Sequence, residues 1–252
     1  MLRKIFKLKN KLIRRIFLDK TISGHIKYKY TTYYSKKDNC ELSNLCAKYL
    51  SDKGYILSQG TKDKNYKIKN YHNYVDYYSE IFSLSKNNIK KVFELGIGNI
   101  NNKSIYNMNK LGDNYLPGAS SKVWRDYFKN ARVFGADIDK SALFEDERIK
   151  TFYVDQSKKD SIQKMWGEIN EKDFDIIIDD GCHRYEETII FFENSKKFLR
   201  SDGIYIIEDI TPSQRKKFLK YFKDKNYDFK FVNFYRPEGK LDVNSIITIR
   251  NL

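Results

Sequence analysis

The pattern of hydrophobic and polar positions changes character near residue 90. Beyond it, short apolar runs recur at Lys91–Leu95, Arg132–Asp137, Ile149–Val154, Phe174–Asp179 and Gly203–Glu208. Each is too short for a helix and nearly continuous, as in strands buried on both faces. Stretches of helical period separate them, at Ser120–Lys129, Ser157–Asn170, Tyr185–Leu199 and Pro212–Lys223. This alternation predicts a doubly wound α/β sheet. Two further strand candidates, Asp228–Phe234 and Ser245–Arg250, are joined through Arg236–Asn244, with Pro237 and Gly239 marking a turn. That length permits an antiparallel hairpin but not a helical crossover. The expectation is a Rossmann-like α/β fold with a seven-stranded, mostly parallel sheet ending in an antiparallel hairpin.

Upstream the pattern is helical. Tyr71, Tyr74, Tyr77, Tyr78, Ile81 and Phe82 predict a helix that ends near Asn87–Asn88. Leu2, Ile5, Phe6, Leu12, Ile13, Ile16 and Phe17, with Lys and Arg between them, predict a basic amphipathic helix over residues 1–18. Residues 1–88 are therefore expected to form a basic helical extension and cap, and residues 89–252 the sheet domain. A helix of the first kind can lie on an anionic membrane surface. Its apolar stripe can equally dock on the protein's own core or on a second copy in a homo-oligomer. No run of about 18 apolar residues predicts a transmembrane helix. The recurrence of Lys and Arg also excludes a secretory signal.

Composition adds bounds. A chain of 252 residues can bury one large core. The net charge of +15 would ordinarily raise nucleic acid as a partner. Residues 1–40 hold twelve Lys/Arg against two Asp/Glu, so most of the excess sits in a tail rather than on a folded face. Nucleic acid is disfavoured on that ground. The three cysteines, Cys40, Cys46 and Cys182, form no CxxC pair. A disulfide framework or zinc site is not expected, and a reducing cytoplasm fits best.

The chemistry gathers at predicted strand ends, where ligands bind in open α/β sheets. The first strand runs into Glu94-Leu95-Gly96-Ile97-Gly98-Asn99, whose glycines let backbone approach a ligand. The second ends in Asp137-Ile138-Asp139; an acid at that tip can bind two ribose hydroxyls, or Asp139 can cap a helix. Asp137 lies 41 positions after Gly96 and Asn99 replaces a third glycine, which disfavours NAD. The third strand ends in Asp155-Gln156, a pair able to read an adenine edge. The fourth gives Asp179-Asp180-Gly181-Cys182-His183 and the fifth Glu208-Asp209. Asp180, Glu208 and Asp209 would crowd together beside His183, and Mg²⁺ would relieve their repulsion. The alternative is that Asp180 and Asp209 cap the following helices while Glu208 faces solvent.

FELGIGN, LPGASSKVWRDYF, VFGADID, VDQS, FDIIIDDGCH and GIYIIED, in this order, resemble the S-adenosylmethionine (SAM)-dependent sugar O-methyltransferases typified by the macrolide mycinamicin enzymes. The resemblance spans about residues 55–250 and implies a class I methyltransferase. It implies Mg²⁺ on Asp180, Glu208 and Asp209, with His183 as general base. It places Glu94, Gly96, Gly98, Asp137, Ile138, Asp155, Gln156 and Asp179 around SAM. Related sequences modify bacterial surface polysaccharides. The expected reaction is therefore methylation of a hydroxyl on a sugar or other small precursor, phosphate- or phosphoramidate-linked ones included, for capsule or surface polysaccharide. The alternatives are an RNA methyltransferase, suggested by charge, and a catalytically silent, membrane-associated SAM-binding module. The first lacks an Asn-Pro-Pro-Tyr motif, and the intact acid cluster with His183 argues against the second.

Overall fold

Nine strands build one sheet in the order β1-β8-β9-β7-β6-β2-β3-β5-β4. They are β1 Lys29–Tyr33, β2 Lys91–Leu95, β3 Arg132–Asp137, β4 Glu145–Asp146, β5 Ile149–Tyr153, β6 Phe174–Asp179, β7 Leu199–Ile207, β8 Asp228–Phe234 and β9 Ser245–Arg250. The computed structural model describes residues 29–33, 40–54, 72–104, 107–111, 113–225, 227–234 and 245–250. The helix expected over residues 1–18 and the turn at Pro237 and Gly239 lie outside these residues. Among the described residues, no helix is long and apolar enough to cross a membrane.

The seven expected strands are all present, and β9 runs antiparallel between β7 and β8. Two edge strands were not expected. Residues 29–33 of the N-terminal extension pair in parallel with β8, and the two-residue β4 pairs with β5. Neither carries an apolar run, because an edge strand is held by ladder hydrogen bonds more than by burial. β7 also begins four residues earlier than its apolar pattern, through the polar Arg200-Ser201-Asp202. The preceding helix is correspondingly shorter than expected, ending at Ser195.

Alternation along the strands divides the core into two layers. Val92, Ile176, Ile178, Ile204 and Ile206 face one way and pack with α1 (Glu41–Tyr49), α2 (Tyr74–Phe82) and α3 (Ala119–Tyr127). Phe93, Ile177, Tyr205 and Ile207 face the other way. There they meet α4 (Lys159–Ile169), α5 (Tyr185–Ser195) and α6 (Pro212–Asp224). The described part of the extension is thus no appendage. Leu42, Cys46, Tyr74, Tyr78 and Phe82 share one buried cluster with the sheet.

A polar clamp joins α1 to α3. The Asp126 carboxylate accepts from the Tyr49 hydroxyl at 2.5 Å, Lys48 Nζ at 3.1 Å and Arg125 Nε at 2.9 Å. Burial works to raise its pKa, but these donors prevail and bring it down to about 2. A carboxyl with a lowered folded-state pKa stabilises the fold above its unfolded value and loses that contribution as pH falls through the folded one. Asp126→Asn is therefore expected to cost about 1 kcal/mol at pH 7 in urea unfolding. The gap between variant and parent should narrow as pH falls from about 4 toward 2. A gap that stays constant to pH 2 would show that the carboxylate charge is not its source.

Candidate functional site

Four strand tips end level with one another. Leu95 of β2 pairs with Asp179 of β6, which pairs with Ile207 of β7, and Ala136 of β3 lies beside Leu95. The ladder continues one step past the tips, with Gly96 N–H donating to Ala136 O, Asp180 N–H to Leu95 O and Glu208 N–H to Asp179 O. The turns after these strands surround a cavity of about 670 Å³. Its lining includes Gly96, Gly98, Asp137, Ile138, Asp155, Gln156, Asp180, His183, Glu208 and Asp209.

Two glycines shape one wall. Gly96 has φ +82° and Gly98 φ +75°. A Cβ on Gly96 would overlap the Asp180 carbonyl, and one on Gly98 the Tyr115 hydroxyl. Asp137 is held rigidly beside them, accepting from Ile97 N–H at 3.1 Å and Asp139 N–H at 2.9 Å, and burial raises its pKa. Ile138 follows with 61% of its surface exposed, an apolar plate at the cavity rim. Asp139 caps the next short turn through Ser141.

Three residues expected near the cofactor are engaged by other protein groups, although Gln156 also lines the cavity. Glu94 does not line the cavity. It shares the face of Val92 and accepts from Ser120, Ser121 and Trp124 at the start of α3. Asp179 is 2% exposed and accepts from Gln156 Nε2 at 3.0 and 3.1 Å. Burial pushes its pKa up to about 7. Gln156 uses its carbonyl oxygen to accept from Cys182 N–H at 2.9 Å. The pair therefore ties the β5 tip to the β6 turn, and its polar atoms mainly address one another. Asp155 forms a turn with Ser157 and an ion pair with Lys158.

The acid cluster lies at the other wall. Asp180 and Asp209 are not helix caps: α5 is entered through Arg184 and α6 through Thr211. Nor does Glu208 face solvent, being 2% exposed. Asp180, His183 and Asp209 each offer a ligand atom within 4.8 Å of the others. Glu208 is engaged differently. One oxygen meets Lys53 Nζ and the other the Tyr78 hydroxyl, each at 2.5 Å. Lys53 Nζ also lies 2.5 Å from Asp180 and 3.4 Å from Glu94. Burial works to lower its pKa, but the three carboxylates outweigh it and hold the pKa well above the ordinary value. Asp180 is pushed up to about 6, mainly by burial and against the pull of Lys53. Burial also works to raise Asp209, but His72, His183 and the Tyr74 hydroxyl outweigh it, and its pKa is lowered.

His183 and Asp209 both take left-handed backbone, with φ +54° and +55°. That conformation costs a non-glycine residue about 1–3 kcal/mol and persists only when its surroundings enforce it. Gln214 at the start of α6 donates to His183 O at 2.6 Å, while the Tyr74 hydroxyl donates to Asp209 at 2.5 Å. The enforced turns leave His183 Nε2 3.8 Å from Asp209 Oδ2. Lys53, His72, Tyr74 and Tyr78 all come from the segment before β2 and were not foreseen as site residues. Their only sequence signal is the helical spacing of Tyr74 and Tyr78.

No family model matches the chain. It is 28% identical over 142 residues to 8-demethyl-8-alpha-L-rhamnosyl tetracenomycin-C 2'-O-methyltransferase of Streptomyces olivaceus, covering 56% of this chain and 34% of that protein. It is 27% identical over 173 residues to mycinamicin VI 2''-O-methyltransferase of Micromonospora griseorubida, covering 68% of this chain and 36% of that one. The chain thus matches about a third of the length of these curated relatives. Among solved structures, it resembles MycE methyltransferase in complex with Mg, SAH and mycinamycin VI, with a TM-score of 0.57 and 21% identity. That match covers 84% of this chain and 54% of MycE. The fold is that of the class I methyltransferases.

Proposed function

We propose that the chain transfers a methyl group from SAM to a hydroxyl of a sugar-bearing acceptor, with Mg²⁺ assisting. The observation that carries this reading is the opening of one cavity onto both walls. The Gly96–Gly98 turn and Asp137 lie on one side, and His183 beside Asp209 on the other. The volume matches a cofactor-sized ligand with room for part of an acceptor. Several O-methyltransferase relatives are named for rhamnosyl or olivosyl substrates, which favours a sugar hydroxyl over RNA.

The residues fit both groups. Positive φ at Gly96 and Gly98, with Asp180 O and the Tyr115 hydroxyl packed where a Cβ would sit, fixes the turn that would border the amino-acid part of SAM. Each Asp137 oxygen already accepts one backbone N–H and keeps a lone pair for a ribose hydroxyl. Ile138 offers an apolar surface to the adenine ring. Asp180 and Asp209 supply the hard oxygen donors that Mg²⁺ prefers, with His183 at the margin.

Bound there, SAM supplies a methyl group on a sulfonium, which keeps the C–S electron pair as the new bond to oxygen forms. Mg²⁺ supplies positive charge that favours ionisation of the acceptor hydroxyl. The imidazole of His183 takes the hydroxyl proton, and the neighbouring Asp209 carboxylate stabilises the imidazolium that results. Tyr74 and His72 fix Asp209 from behind. Gln214 fixes the turn that carries His183.

Calorimetry tests the cofactor half directly. SAM and its demethylated product should bind the wild-type chain, and Asp137→Ala should weaken both by about 1–3 kcal/mol, the cost of leaving a buried polar contact unmade. Binding of NAD with no response to SAM would overturn the assignment.

A further inference from the structure

We propose that Lys53 is an internal counter-cation of the acid cluster: it takes Glu208 as its own partner and confines a divalent metal to the Asp180 and Asp209 carboxylates beside His183. The inference rests on the metal-assisted reading above and departs from the three-acid ligand set that the sequence resemblance implies.

Lys53 is 3% exposed. Its ammonium lies 2.5 Å from Glu208, 2.5 Å from Asp180 and 3.4 Å from Glu94, so it touches residues from three neighbouring strand tips. The ammonium donates hydrogen bonds to Asp180 and Glu208, and the Glu94 carboxylate lies within ion-pair range. Glu208 is satisfied on both sides, by Lys53 and by Tyr78. Turning it toward a metal would take one close carboxylate from the buried ammonium and leave the buried Tyr78 phenol without its acceptor, at a cost of kcal/mol scale. Asp180 has only Oδ2 on Lys53, and Asp209 meets Tyr74 and two histidines. Asp180 and Asp209 can therefore offer an oxygen to a cation without giving up a contact to Lys53, whereas Glu208 would have the cation compete with Lys53 and Tyr78 for both of its oxygens.

Charge leads to the same division. Glu94, Asp180, Glu208 and Asp209 bring four negative charges to one buried region. A divalent cation alone would leave two of them uncompensated. Lys53 with a divalent cation leaves one. The lysine therefore neutralises the deep side of the cluster, where Glu94 and Glu208 lie, and the metal the side that opens on the cavity. Lys53 is a positioning residue in this scheme, since its ammonium reaches the reaction only through Asp180 and Glu208.

Mn²⁺ binding, followed by electron paramagnetic resonance on the full chain, tests this without turnover. Lys53→Met removes a positive charge beside the metal seat, so Mn²⁺ should bind about tenfold or more tightly than in the wild type. The thermal midpoint of that variant should also rise more with Mn²⁺ than the wild-type midpoint does. Glu208→Gln keeps Lys53 and tests the ligand set should Lys53→Met fail to fold. It should change Mn²⁺ affinity far less than Asp209→Asn does. Equal or weaker Mn²⁺ binding by Lys53→Met would overturn the proposal, as would equal losses in Glu208→Gln and Asp209→Asn. Absence of Mn²⁺ binding in every form would overturn it too. SAM calorimetry on the same samples then shows whether the methyltransferase reading survives.

Discussion

His183→Ala is expected to lower methyl-transfer turnover by about 10²–10⁴-fold, the usual worth of a positioned proton acceptor. SAM affinity should stay within about threefold of the parent, because the loss concerns a step after binding. The separation follows from the architecture. Gly96 and Gly98 follow β2 and Asp137 ends β3, while His183 and Asp209 follow β6 and β7. His183→Gln retains a hydrogen-bonding side chain but accepts no proton at neutral pH, so it should fall with the alanine variant. Single-turnover methylation of a rhamnosylated or other deoxysugar acceptor, with SAM calorimetry alongside, measures both quantities. Near-parental turnover in either variant would remove His183 as the base.

Gly96→Ala should be the most damaging single change in the cofactor wall. The position combines φ +82° with a backbone carbonyl, that of Asp180, where the new Cβ would sit. Left-handed backbone alone costs alanine about 1–2 kcal/mol. The clash cannot be relieved by a rotamer change, since the obstacle is main chain. Either β2 or the Asp180 turn must move, and the second carries Asp180 and His183. The expected result is a fall of about 2–4 kcal/mol in unfolding free energy together with loss of measurable SAM binding. Gly167→Ala serves as the control, because a Cβ there meets nothing within 4 Å and the helix gains propensity. A Gly96→Ala protein with parental stability and SAM affinity would show that the turn adjusts freely.

What the sequence made legible followed from continuous apolar runs. Lys91–Leu95, Phe174–Asp179 and Ser245–Arg250 were bounded to the residue, because such strands lie between two helical layers and need apolar side chains on both faces. β1 and β4 left no such trace, being edge strands. At the site, the order of motifs identified the strand tips but not the direction of each side chain. Glu94, Asp179 and Gln156 are polar residues at or near tips, so they resembled ligand contacts; in the structure they bind α3 and one another. Lys53 was illegible for a different reason. It is one of 48 Lys and Arg, and nothing local distinguishes a lysine bound for the interior from the solvated majority. Only the tertiary meeting of the residue 51–54 turn with β6 and β7 gives it partners.

That meeting also constrains how the protein folds. Lys53 is separated by 127 residues from Asp180 and by 155 from Glu208, whereas helices and hairpins close over a few residues. Contacts of such range form late, since a long loop must close before they stabilise anything. An ammonium cannot be dried in advance of its carboxylates without a penalty of several kcal/mol. The carboxylates, in turn, repel one another until it arrives. The α1–α2 layer and the completed sheet must therefore close together in one cooperative step. A chain in which β7 has not yet formed lacks the Glu208 and Asp209 charges that would help draw its N-terminal layer into place.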